Sequence, residues 1–346
     1  MTPQPVELKK QVTQSEWYRS LTRYEKSDTR KTTWQLINTV VPYLGTWAVM
    51  VAMLKHHLPY YTILPVMLIS AGLLVRVFIV FHDCGHGSFY DSKKANTIVG
   101  YITGVMTFTP YEEWKHSHAV HHATVGDLER RGSGDIWTMT VEEYLACDPW
   151  KRFKYRVYRN PFVLFVLGPP ILFLIAQRFP TKGSGKAERN SVIIADIAIA
   201  GIIALACFTI GLKTYLEIQL PVMTLAGVFG VWLFYVQHQY QEVYWEHHQK
   251  WDPIRAALEG SSYYKLPKLL QWFSGNIGLH HIHHLRPRIP NYHLQQSYDE
   301  VPALQAIEPL TLGRSFKSLF LHLWDEHDKK MVSCRAVRHR LKAQPG

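Results

Sequence analysis

Residues 61–86 read YTILPVMLISAGLLVRVFIVFHDCGH. From Tyr61 to Phe81 the run is apolar, interrupted by the charge of Arg76 near its end, and then at His82 the chemistry changes. Roughly 20 mainly apolar residues suffice for a helix to cross a bilayer, so Tyr61–Phe81 reads as a span. Arg76 is expected to reach the interface along its flexible stem. His82 and His86 are four residues apart and share one helical face where the apolar run stops, at a membrane surface. Gly85 and Gly87 weaken that last turn.

Working outward, three more segments pass the same length test, giving spans at 33–54, 61–81, 191–212 and 221–238. The connections Lys55–Tyr60 and Lys213–Leu220 are short, so the spans pair as hairpins. Residues 98–108 are too few to cross. Residues 162–176 contain Gly168-Pro169-Pro170, and two prolines remove backbone donors from a helix interior. Both segments are expected to lie in the interface. The organisation that follows is a cytoplasmic N-terminal segment (1–32), a membrane domain (33–310) and a cytoplasmic C-terminal tail (311–346). Met1–Trp34 has no apolar signal-peptide core.

The mean hydropathy of −0.10 averages these blocks with very polar ones. The 38 Lys and Arg exceed the 27 Asp and Glu by 11 charges. Basic residues gather on the cytoplasmic side of membrane proteins. No nucleic-acid motif accompanies the charge, so no nucleic-acid partner is expected. Cys84, Cys147, Cys207 and Cys334 are scattered without the spacing of a disulfide framework or a cysteine metal site. Cys84 is expected to pack beneath the histidines rather than join them.

Two further histidine clusters follow: His116-Ser117-His118-Ala119-Val120-His121-His122 and His280-His281-Ile282-His283-His284. His118, His121 and His122 stand at i, i+3 and i+4 on one face, and His280, His283 and His284 repeat that pattern. His116 and His281 fall off it. Isolated histidines such as His56, His57, His247, His248, His322, His327 and His339 read as solvated or hydrogen-bonded. Neutral imidazole is the commonest metal-binding side chain. Eight imidazoles exceed the four ligands of one zinc site and suit two metals. Iron, copper, zinc and nickel all accept imidazole, and the paired Glu-x-x-His motifs of soluble di-iron bundles are absent. One site requires one membrane face. Two crossings between His122 and His280 meet that requirement, and a third, by residues 162–176, breaks it. The basic loop Arg178–Arg189 agrees with the four-span count.

The runs His82-Asp83-Cys84-Gly85-His86, His118-Ala119-Val120-His121-His122 and His280-His281-Ile282-His283-His284 resemble the three boxes of the membrane fatty acid desaturases. Among these they look most like the bacterial and plastid Δ12 (ω-6) acyl-lipid branch. Gly126-Asp127-Leu128, Gly134-Asp135-Ile136, Asn276-Ile277-Gly278 and Arg288-Ile289-Pro290 extend the likeness over roughly residues 35–310. The resemblance implies an all-α integral membrane protein: four transmembrane helices under a cytoplasmic helical cap that carries a histidine-rich di-iron site. It implies nine ligands, the ninth at the end of the last span, where this chain has His238. Near that place the family has a water-bridging polar residue, and Gln237, Gln239 and Asn276 are the candidates. Asp83 and Asp135 stand where carboxylates would orient imidazoles through the second ring nitrogen.

The implied reaction uses O₂ to remove two hydrogens from an acyl-lipid or acyl-thioester chain and leave a cis double bond. The resemblance implies that the site holds two iron ions. No C-x-x-C-H or cysteine cluster supplies electrons internally, so a ferredoxin or cytochrome b5-type carrier is implied at the basic face. A bacterial inner membrane, with the site and both termini cytoplasmic, is the expected setting. Other outcomes of the same iron site are a hydroxylase, an acetylenase or a carotenoid-modifying oxygenase. A histidine-rich metal transporter would put ionisable residues inside the spans, where this chain has Arg76 and Asp196. A bis-histidine haem protein would place its histidines mid-span.

Overall fold

The computed structural model describes residues 11–132 and 134–343; residues 1–10 and 344–346, parts of the expected N-terminal segment and C-terminal tail, lie outside the described residues. Helix α1 (Thr29–Lys55) opens at Asp28, whose carboxylate accepts the backbone N–H groups of Arg30 at 2.9 Å and Lys31 at 3.3 Å. Such a cap satisfies donors that the first turn leaves unpaired. A 3-10 turn (Tyr60–Ile63) leads into α2 (Leu64–His86), which stops at Gly87, left-handed at φ 67°. Glycine takes that conformation without steric cost, so the chain turns away directly after His86.

Helix α3 (Lys93–Met106) packs along α2, and α4 (Tyr111–Thr124) carries the second histidine cluster. Next come α5 (Pro149–Tyr158) and an irregular helix over Phe162–Arg178, bent by 59° from α5. Around Gly168-Pro169-Pro170 the turns widen to π geometry, in Phe162–Leu167 and Ile171–Ile175. The missing proline donors are thus absorbed by irregular helix rather than by a full break.

Helix α6 (Lys186–Thr209) and α7 (Leu212–His238) meet at Gly211, φ 85°. This corrects the expected boundaries: Lys213–Leu220 is helix, and Pro221 lies inside α7. The carbonyl of Glu217, which a proline at position 221 leaves without an intrahelical donor, accepts the Tyr60 hydroxyl at 2.8 Å. A helix tolerates an interior proline when the freed group finds another partner. Helices α1, α2, α6 and α7 are each long and apolar enough to cross a membrane. Arg76 turns inward into the protein. It is 7% exposed, donates to Thr39 Oγ1 at 3.0 Å and to the Trp272 carbonyl, and lies over the Trp272 ring.

Beyond α7 the chain builds a cap of short helices, among them α8 (His280–Leu285) and α9 (Asn291–Glu300), with two very small sheets. Strands β1 (Met139–Thr140), β4 (Leu323–Asp325) and β5 (Lys330–Val332) form one sheet. Strands β2 (Tyr263–Lys265) and β3 (Pro309–Thr311) pair in parallel. Residues 311–343 are therefore folded into the cap and are not a detached tail. Buried Arg159 ties them down, donating to the Leu321 carbonyl at 2.7 Å, Gln239 Oε1 at 2.9 Å and the Tyr235 hydroxyl at 3.1 Å.

Helix α3 approaches α4 through Gly100, where an added Cβ would stand 2.2 Å from the Tyr111 ring. Tyr111 is itself fixed, donating its hydroxyl to the Cys84 carbonyl at 2.8 Å. Gly100→Val is expected to lower the thermal midpoint in detergent, with an overpacking cost of roughly 1–3 kcal/mol. Gly201→Ala, facing open space, should leave it nearly unchanged. Equal midpoints for both variants would contradict this packing.

Candidate metal centre

Four elements deliver the histidines to one place: the end of α2, α4, the end of α7 and α8. His82, His86, His118, His122 and His283 form one group whose nitrogens lie within 4.8 Å of one another. His121, His238 and His284 form a second such group. His280 adjoins it, its Nε2 3.0 Å from that of His238 and 3.2 Å from that of His284. All eight box histidines that share faces, and His238, are therefore brought together. Stacked rings of His122 and His284, 4.0 Å apart, join the two groups.

The opposite ring nitrogens show what the centre demands. His82 Nδ1 meets Asp83 Oδ1 at 3.1 Å, His121 Nδ1 meets Asp135 Oδ1 at 2.6 Å, and His238 Nδ1 meets the Gly260 carbonyl at 3.0 Å. With acceptors at Nδ1, those rings carry their proton there and leave Nε2 as a bare lone pair. Yet Nε2 faces Nε2 at 3.1 Å between His82 and His118, and at 3.2 Å between His121 and His238. His86 Nε2 is buried with no partner. Burial, and after it the neighbouring imidazoles, hold His118, His122, His280, His283 and His284 well below the ordinary histidine pKa. Lone pairs converging in a buried pocket repel unless cations lie between them, and neutral imidazoles are what metals bind. The residues present fit a pair of transition-metal ions.

The surrounding residues sort differently from expectation. Asp83 and Asp135 each touch an imidazole, as expected. Asn276 does not: its amide donates to the Asn291 carbonyl at 3.2 Å. Gln237 donates to the Ile277 carbonyl at 2.8 Å and lines a cavity beside the histidines, whereas Gln239 is held by Arg159. The sequence reading missed Asn291. Its backbone N–H and side-chain amide both donate to Asp83 Oδ2, at 2.7 and 2.8 Å, and its own oxygen accepts from Gln35 at 2.9 Å. Its signal was its place right after Arg288-Ile289-Pro290. Cys84 packs among Val80, Phe81, Phe89 and Tyr111 and offers no ligand. His281 points away to the Leu304 carbonyl, and exposed His116 lies 3.9 Å from Glu188. His247 meets the exposed carboxylate of Glu129 and His248 the buried carboxylate of Asp127.

An apolar cavity of about 310 Å³ runs between α2, α7 and the irregular helix to His82, His118 and His280. Trp114, stacked on His118 at 4.3 Å, forms part of its wall. Gly230 also lines it, with no atom within 4 Å of a Cβ built there.

Comparison with known proteins gives a consistent picture. A family profile described as fatty acid desaturase matches residues 58–310. A fatty acid desaturase of Bacillus subtilis (strain 168) is 44% identical over 340 residues, covering 98% of this chain and 95% of its own. An endoplasmic-reticulum omega-3 fatty acid desaturase of Vigna radiata is 30% identical over 240 residues, 64% of this chain and 60% of its own. The chloroplastic sn-2 acyl-lipid omega-3 desaturase (ferredoxin) of Arabidopsis thaliana is 30% identical over 259 residues, 70% of this chain and 54% of its own.

Residues that orient metal-binding imidazoles typically contribute 10–100-fold to metal affinity. Asn291→Ala removes the side-chain donor to Asp83 Oδ2 and the acceptor of Gln35 while keeping the backbone donor, so purified Asn291→Ala protein is expected to retain metal about tenfold less tightly against a chelator, the low end of that range. Asn276→Ala, one contact further out, should cost much less. Metal analysis after graded chelation checks both, and wild-type retention in Asn291→Ala would refute the role of this contact.

Proposed function

This chain belongs to the fatty acid desaturase family, and we propose that it inserts a cis double bond into a membrane acyl chain with O₂ at a pair of iron ions. The observation that carries this reading is the junction of a long apolar cavity with nine converging imidazoles. We further propose His82, His86, His118, His121, His122, His238, His280, His283 and His284 as the iron ligands. Bound iron supplies the O₂-dependent hydrogen abstraction that no side chain here performs.

The protein's own part is placement. Asp83, Asp135 and the Gly260 carbonyl fix three rings through Nδ1. The apolar walls take a straight acyl chain and exclude water, and Trp114 and Gln237 flank the point where the cavity meets the histidines. The proposed position is Δ12 (ω-6), from the branch that the boxes resemble, on an acyl-lipid substrate. Electrons come from a separate carrier, for which the ferredoxin in the Arabidopsis relative's name is the first candidate and cytochrome b5 the second.

The topology we propose is four spans in a bacterial inner membrane, with the histidines and both termini cytoplasmic. Two observations support an even number of crossings between α4 and α8. Glu113 on α4 accepts the Thr181 N–H at 2.9 Å, and its own N–H donates to Ser191 Oγ at 3.2 Å, so α6 starts on the face that α4 occupies. His238, at the far end of the α6–α7 hairpin, returns to within 3.2 Å of His121. The bent segment Pro149–Arg178 then enters and leaves by the same face.

Expression in a host with only saturated and monounsaturated lipids, with iron and a working donor, is expected to yield new double bonds by gas chromatography. An unchanged profile would overturn the assignment, whereas a bond away from Δ12 would reject only the position. His121→Ala and His283→Ala should each lose activity and bound iron, and full activity in either would remove it from the ligand set. Gly230→Phe should lower turnover of long chains without loss of iron. A reporter fused after Arg189 is expected to read cytoplasmic, and an external signal would refute four spans.

A further inference from the structure

Helix α5 carries ten residues, PWKRFKYRVY, that neither the metal centre nor the cavity uses. Trp150, Phe153 and Val157 are 63%, 47% and 41% exposed. At 100° per residue these three fall within one 60° sector. Tyr155, roughly opposite, is completely buried and packs into the cap beside Met139, Tyr144 and Leu323. The apolar face is therefore the outward one, the reverse of a helix that meets water.

Charge flanks that face on both sides. Lys154 stands at one edge, its ammonium over the Trp150 ring at 5.7 Å, and Arg156 stands at the other. Both are exposed, as is Lys151 beyond Lys154. The 59° bend after Tyr158 opens a groove floored by Phe153, Val157 and Val163 and rimmed by Arg156 and Asn160. Trp150 and Phe153 stack at 5.4 Å, giving a flat aromatic edge. An outward apolar stripe between cations is the pattern of a helix lying in a membrane interface, and cations at that level favour anionic lipid.

We propose that α5 lies in the plane of the membrane surface and seats an anionic phospholipid. The acyl chain lies against Phe153 and Val157, and the headgroup phosphate meets Arg156 and Lys154. This anchors the cap next to the bent segment and holds whatever the enzyme's substrate is. An acidic protein partner would complement the cations and leave Trp150, Phe153 and Val157 in water, so the lipid is the occupant that both features fit.

The test uses the full iron-loaded chain in lipid nanodiscs and the fluorescence difference between the native protein and Trp150→Phe, which isolates one indole among 11 tryptophans. Brominated phosphatidylglycerol diluted in phosphatidylcholine is expected to quench Trp150 more than brominated phosphatidylcholine diluted in phosphatidylglycerol. Each basic residue at a membrane surface changes local anionic-lipid preference by up to about fivefold. Lys154→Glu with Arg156→Glu should therefore equalise the two lipids. If that variant does not fold, raising salt on the native protein supplies the same contrast, because screening removes the preference. Equal quenching in the native protein, or none from either lipid, overturns the proposal. So does quenching that an acidic ferredoxin abolishes by covering the indole.

Discussion

Between His82 and His118, and again between His121 and His238, two imidazole nitrogens face each other at 3.1–3.2 Å. Everything else in the molecule is arranged to tolerate that crowding. A lone pair aimed at a lone pair is unfavourable in a buried site. Cations between the rings would relieve that repulsion, which is why this donor set fits a pair of metal ions. Each supporting acceptor sits on the far side of a ring. Asp83 and Asp135 do this with charge, and Gly260 with a backbone carbonyl.

The helices answer a geometric demand set by the same site. A histidine pair four residues apart needs a helix that stops just after it, and Gly87 stops α2 there. His238 needs α7 to run unbroken to its last residue, through Pro221, and Tyr60 stabilises the carbonyl that the proline deprives. Arg159 then fixes Gln239, the residue after His238, to the C-terminal hairpin. Residues 311–343 therefore support the centre from outside, although no metal ligand comes from them.

What the sequence made legible was periodic. The boxes stand out because i, i+3, i+4 spacing is a local property of a helix, visible without tertiary structure. The four apolar runs are legible for the same reason. His238 has no repeat around it, and the resemblance alone pointed to it. Asn291 was hidden because it meets Asp83 across 208 positions of sequence, and an asparagine after a proline is unremarkable by itself. The partners of Arg76 were not legible, because Thr39 and the Trp272 carbonyl reach it from distant parts of the sequence. Strands β1 to β5 were all missed because two- and three-residue strands carry no alternation to read.

The bent segment Pro149–Arg178 shows how the site constrains the membrane around it. Its length and composition permit a crossing. A crossing there would invert α6 and α7 and carry His238 to the opposite face, some 30 Å of hydrocarbon away from His121. The 3.2 Å between those two rings leaves no room for that. On the proposed four-span topology the segment dips and returns, and the two prolines suit such a path, since the widened turns around them let a helix curve. An amphipathic helix at the entrance of such a dip, with its apolar face turned outward, is the neighbour that this topology calls for.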